Sequence, residues 1–186
     1  MKIGIDISPL YSEKIMGIGN YTKYLLEGFS KLKGDVDFNF LCFSSLKPAL
    51  HKKLKKLLME RLPPKMNFNI SFIPFPYKFQ SLLQFVPIEF FIHSKIDIFH
   101  SPYQFFSPLS FKYPLVSTIH DVYPLMNPEL TTGKGKQYFE IKKSYNLVAQ
   151  RADTIITVSE RAKKDIVNKL EIPAEKIEVI YHGVEK

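Results

Sequence analysis

Short apolar runs alternate along this chain with longer stretches in which apolar residues recur at helical spacing. The runs are Lys2 to Ser8, Phe38 to Phe43, Asn69 to Ile73, Ile96 to His100, Leu115 to His120, Thr154 to Val158 and Ile177 to Tyr181. A run apolar on both faces is the signature of a strand covered on both sides. Between the runs, Tyr21, Leu25, Leu26, Phe29 and Leu32 share one helical face, as do Leu46, Leu50, Leu54, Leu57, Leu58 and Leu62. Further helices are predicted over about 81–94, with Pro87 kinking or opening the segment, over Gly135 to Arg151, and from a Ser159 cap to about Leu170. Pro63-Pro64 ends the second helix.

Strands that alternate with helices, across connections too long for hairpins, predict a parallel α/β sheet. The expected architecture is a Rossmann-like open sheet of about seven strands with helices on both faces, and with the first strand near its middle. Between that strand and its helix the sequence predicts a glycine loop, Gly17-Ile-Gly19-Asn20. In such a sheet ligands bind beyond the carboxyl ends of the strands. That edge collects Ser8 with Gly17, Gly19 and Asn20, Ser44, His100 with Ser101, His120 with Asp121, and Ser159 with Glu160.

Composition narrows the partners. The chain has 186 residues and a formal charge of +8, with a pI near 9.4, which favours anionic partners without choosing among them. The leucine-striped segment 46–62 carries Lys47, Lys52, Lys53, Lys55, Lys56 and Arg61. It reads either as a solvated basic face or as an interfacial helix on anionic lipid. It has no stacking aromatics, which argues against nucleic acid. Cys42 is the only cysteine and lies in an apolar run, so it reads as a small buried hydrophobe. There is no signal-peptide pattern, and the apolar region 68–92 is broken by Pro74, Pro76, Lys78, Pro87 and Glu89. A cytoplasmic location follows as the expectation, with peripheral seating at the inner face of a membrane if the basic helix engages lipid.

Several chemistries fit poorly. Gly17-x-Gly19-x-x-Thr22 lacks the third glycine of a dinucleotide fingerprint, and Phe43-Ser44-Ser45 closes the second strand without an acidic residue. His120-Asp121 could be a catalytic pair, a metal site or a satisfied polar edge. No third ligand is spaced to join His100 and His120, so neither a metal nor another cofactor is expected. Asp121 with Glu129 could form a glycosidase carboxylate pair, although spacing alone does not fix their separation. A non-catalytic module that binds a polyanion or a partner subunit remains the alternative to an enzyme.

Five segments in order carry a resemblance: Gly17-Ile-Gly-Asn-Tyr-Thr22, Ile98-Phe-His-Ser-Pro102, Thr118-Ile-His-Asp121 with Pro124 following, Ala152-Asp-Thr-Ile-Ile-Thr-Val-Ser-Glu160 and Val179-Ile-Tyr-His-Gly-Val184. Together they resemble family 4 glycosyltransferases, and most closely the mannosyltransferase-like members. The resemblance implies a GT-B enzyme of polysaccharide biosynthesis. Such an enzyme moves a hexose from a nucleotide sugar to a glycan or lipid-linked acceptor with retention and without a metal. It also implies that residues 1–186 form the N-terminal, acceptor-side half, with the nucleotide-sugar domain outside this sequence. By position, His120 would hydrogen-bond the transferred sugar, with Asp121 beside it at the catalytic centre. Gly17 and Gly19 would bring N–H groups to the donor phosphates or the acceptor. Asn20, His100, Ser101, Ser159 and Glu160 would complete the substrate-binding set.

Overall fold

The computed structural model describes residues 1–44, 48–64, 66–74, 85–92, 95–104, 112–130 and 135–183. Its centre is a seven-stranded sheet in the order β3-β2-β1-β4-β5-β6-β7. The strands are β1 (Lys2–Asp6), β2 (Asp37–Ser44), β3 (Phe68–Pro74), β4 (Ile98–Ser101), β5 (Leu115–Thr118), β6 (Thr154–Thr157) and β7 (Ile177–Val179). Every pairing is parallel, with Ile5 opposite His100 across β1 and β4, and Ser101 opposite Ser117 across β4 and β5. The strand order therefore reverses between β1 and β4, and the open edge beside that reversal is where such sheets take ligands.

Two apolar layers cover the sheet. On one face α1 (Gly17–Phe29) and α2 (Pro48–Arg61) bring Leu26, Leu54 and Leu58 onto Ile3, Ile5, Phe38, Phe40 and Cys42. On the other face α4 (Lys136–Arg151) and α5 (Glu160–Leu170) bring Tyr145, Val148 and Ile166 onto Phe99, Leu115, Ile155 and Ile177. A short α3 (Tyr123–Met126) contributes Leu125 to that second layer. Cys42 is fully buried, and burial holds its thiol well above the ordinary value, as expected of an inert core residue.

The boundaries differ from the sequence reading in two informative places. Gly17 and Gly19 do not form a loop before the helix: they are its first turn, with Asn20 N–H already bonded to the Met16 carbonyl at 2.8 Å. A Cβ on Gly19 would meet Ile15 Cγ2 at 2.8 Å and the Pro9 carbonyl oxygen at 3.0 Å. The glycine is thus required by close approach of the preceding loop and not by a turn. The helix expected over 81–94 is not present within 85–92, where a 3-10 turn, Ile88–Phe90, forms behind an extended Pro87. Proline excludes helical backbone from the residue before it, so it opens this turn in place of continuing a helix. Residues 81–84 and 93–94 lie outside the described set.

Part of the leucine stripe of α2 is described; Leu46 and Lys47, and the side chain of Leu50, lie outside the described set. Leu54 and Leu58 are buried in the core together with Leu62 just beyond the helix, so these leucines cannot insert into lipid. Only the lysine face is outward. Within it Lys53 pairs with Glu13 at 2.6 Å, both partners being exposed, and Lys55 lies over the Phe72 ring. Arg61, in the last turn, donates to the carbonyls of Leu10, Ser12 and Glu13 at 2.7, 2.5 and 3.0 Å. This guanidinium fastens the β1–α1 connection to α2.

Candidate active site

Three aromatic rings from three separate strand–helix units meet at the carboxyl edge. His120 follows β5, Tyr21 stands in the second turn of α1, and His182 follows β7. Tyr21 meets His120 edge-on, with ring centroids 4.7 Å apart, and stacks on His182 at 5.3 Å. The two imidazoles lie 6.0 Å apart at right angles. The Tyr21 hydroxyl is 3.2 Å from the Thr118 hydroxyl at the end of β5, which ties α1 to that strand. Burial raises the Tyr21 phenol above its ordinary value.

His120 has a defined tautomer. Its Nε2 lies 3.0 Å from the Pro102 carbonyl oxygen, and a carbonyl only accepts, so Nε2 carries the hydrogen. Burial lowers the pKa of the ring. The Pro102 bond acts the other way, His182 adds to the lowering, and Asp121 opposes it. The neutral ring therefore keeps a lone pair on Nδ1, suited to accept a hydrogen bond from a hydroxyl.

His100 lies deeper. It is 7% exposed and its Nε2 has no hydrogen-bond partner among the described residues. Burial, with a smaller contribution from His120, pushes its pKa down to about 4. It is a neutral imidazole with an unused nitrogen beside the strand-order reversal, and buried orphans of this kind are uncommon.

The other residues singled out in the sequence have local duties. Asp121 is exposed and its Oδ1 accepts from Tyr123 N–H at 2.8 Å, closing a local turn ahead of α3. Ser101 is fully buried and donates to the Tyr103 carbonyl at 2.8 Å, so its hydroxyl is engaged with the segment that follows β4. Ser159 accepts from Ala162 N–H at 3.1 Å as the α5 N-cap. Glu160, Gly17 and Asn20 are exposed, whereas Gly19 is buried. Among the described residues no three His, Cys, Asp or Glu side chains are grouped to hold a metal ion.

Sequence reasoning missed the groups that assemble this edge. Tyr21 reads as part of an apolar helical face, and His182 as the tail of the last strand. The buried Gln104 donates from Nε2 to the Tyr145 hydroxyl at 3.1 Å, and that hydroxyl donates to the Asp121 carbonyl at 2.9 Å. Ser144 donates to the Gln104 carbonyl at 2.8 Å. Helix α4 thereby holds the segments that follow β4 and β5.

A parallel Rossmann-like sheet with imidazoles at the end of β4 and after β5 and β7 along its carboxyl edge defines an α/β domain that is of the nucleotide-sugar-enzyme type in its fold only. Residues 15–186 match the family model described as Glycosyltransferase Family 4, and the chain belongs to that family. Among curated proteins none matches. Among solved structures, a short-chain dehydrogenase from Oenococcus oeni PSU-1 is similar over 96% of this chain and 76% of its own, at 15% identity and a TM-score of 0.32.

Proposed function

We propose that these residues form the acceptor-side half of a retaining hexosyltransferase, with mannose as the leading sugar and a glycan or lipid-linked molecule as acceptor. The observation that supports this most directly is the His120 ring, held by Tyr21, His182 and the Pro102 carbonyl with Nδ1 left to accept. A neutral acceptor nitrogen suits a sugar hydroxyl, so His120 would orient the hexose during transfer. The bond between the anomeric carbon and the donor phosphate breaks, and its electron pair leaves with the nucleoside diphosphate. The acceptor oxygen forms the new bond on the same face, and its proton passes to the departing phosphate oxygen.

Charge developing on that phosphate must be stabilised by preorganised donors. The first turn of α1 offers some: the leading N–H groups of a helix lack intrahelical partners, and Met16 supplies no side-chain cap. The nucleotide itself would be gripped by a second lobe, because this sequence contains neither the basic pair nor the Glu-x₇-Glu element that the resemblance leads one to expect on the donor side. Asp121 and Ser101 are weaker candidates than the sequence suggested, since both side chains serve the fold. No described helix is long and apolar enough to cross a membrane. Contact with an anionic cytoplasmic surface would run through the α2 lysines alone.

The test is sugar transfer by the full-length protein across a panel of nucleotide hexoses, with and without acceptor glycans. Transfer from one donor that collapses in His120→Ala supports the reading. Sugar release without any nucleotide donor would replace it with the hydrolase alternative.

A further inference from the structure

We propose that Asp6 is a positioning residue for His120, acting through Tyr103 and the Pro102 carbonyl. The inference rests on the reading of His120 as the group that contacts the sugar. Asp6 closes β1 at the strand-order reversal and is fully buried. A carboxylate removed from water is costly unless its oxygens are satisfied. Here Oδ1 accepts from the Ser8 N–H at 2.9 Å and the Ser8 hydroxyl at 2.5 Å, and Oδ2 accepts from the Tyr103 hydroxyl at 2.8 Å. Ser8 Oγ in turn accepts from Phe43 N–H at 2.9 Å. One carboxylate thus joins the carboxyl ends of β1, β2 and β4.

Tyr103 is held at both ends. Its hydroxyl is on Asp6, and its carbonyl accepts from Ser101 Oγ at 2.8 Å. Pro102 lies inside the short loop that the Ser101–Tyr103 bond closes, with its φ fixed by the ring, so the peptide that carries its carbonyl is held from both sides. That carbonyl is the acceptor for His120 Nε2–H, and the partner of one ring nitrogen decides which nitrogen carries the proton. The path therefore runs from a buried charge on β1 to the tautomer and orientation of an imidazole beyond β5. A network that merely glued β1 to β4 would affect folding and leave the imidazole alone.

The experiment uses the full-length protein as wild type, Tyr103→Phe and Asp6→Asn. The readouts are the imidazole nitrogen shifts of His120, assigned by difference from His120→Asn, and the kcat and KM for the donor. Wild type should show one tautomer, with the hydrogen on Nε2. Tyr103→Phe, which removes a single oxygen, should show mixed tautomers, with kcat down roughly 10-fold and KM within about twofold, as expected of a misplaced group. Asp6→Asn should do the same more strongly. If it does not fold, Tyr103→Phe decides alone. An unchanged His120 spectrum in folded Tyr103→Phe overturns the proposal. Should His120→Ala retain full turnover while Tyr103→Phe still shifts the tautomer, the sugar-contact reading fails and the coupling stands.

Discussion

Tyr21 packs against His120 with the two ring planes at 88°. An edge-on aromatic neighbour and the Pro102 carbonyl leave the imidazole little rotational freedom, and a group aimed in this way is effective without being strongly basic. Replacement of His120 by Ala should lower kcat for sugar transfer in the full-length enzyme by about 100-fold, the usual effect of deleting one preorganised hydrogen-bonding group. Steady-state rates with a saturating donor check this, and a loss below twofold would remove the ring from the mechanism.

Acid should destabilise the fold through His100. Its folded-state pKa of about 4 lies below the ordinary 6.5, so the unfolded chain binds the extra proton first. Stability is complete above about pH 6.5, falls as pH drops, and reaches its full loss near pH 4. A shift of this size corresponds to on the order of 3 kcal/mol, and His120, also lowered, adds in the same direction. Urea midpoints measured across that window should fall less steeply in His100→Gln than in wild type. Parallel curves would show that His100 is not the titrating group.

Gly17 and Gly19, at the start of α1, should respond in opposite ways. Gly19→Ala forces a methyl against Ile15 and the Pro9 carbonyl and should cost roughly 1–3 kcal/mol by overpacking. Nothing lies within 4 Å of a Cβ on Gly17, so Gly17→Ala should be neutral or stabilising by up to about 1 kcal/mol. Chemical denaturation of both variants checks the pair, and equal losses would mean that the loop before α1 packs differently.

Retention on anionic vesicles should be electrostatic and nothing more. Lys52, Lys53, Lys55 and Lys56 face outward while the leucines beneath them are in the core. Binding worth up to about 1 kcal/mol per lysine should vanish as salt rises and in a variant with all four changed to Ala. Equal recovery on neutral vesicles ends the idea.

On the proposal that a second lobe grips the nucleotide, residues 1–186 alone should bind nucleotides weakly and transfer no sugar. Calorimetry with nucleoside diphosphates checks the first point. Tight binding by residues 1–186 alone would move the donor site onto this half.

The sheet was legible because each buried strand writes its own apolar run, as Ile3-Gly-Ile-Asp-Ile7 and Thr154-Ile-Ile-Thr157 show. The Ser159 cap was equally local, one side chain meeting an N–H three residues on. The carboxyl-edge positions of His100 and His120 follow from the same rule. What stayed hidden was contact between units: Tyr21 reaches Thr118 across 97 residues, and Tyr103 reaches Asp6 across as many. Such pairs depend on how each crossover packs, which no local period encodes. A signal did exist for Asp6, since one carboxylate inside an apolar strand requires partners for its oxygens. For Gly17 and Gly19 the error came from treating glycine as a loop residue: both lie in the first turn of α1, and Gly19 serves close packing there.

The Arg61 guanidinium has a practical consequence for anyone who would redesign this edge. Its three carbonyl partners all come from the segment between β1 and α1, so that segment takes its shape from a helix on the far side of it. Transplanting residues 10–16 into a sister enzyme would strand those carbonyls unless α2 travelled with them. The unit of exchange is the pair.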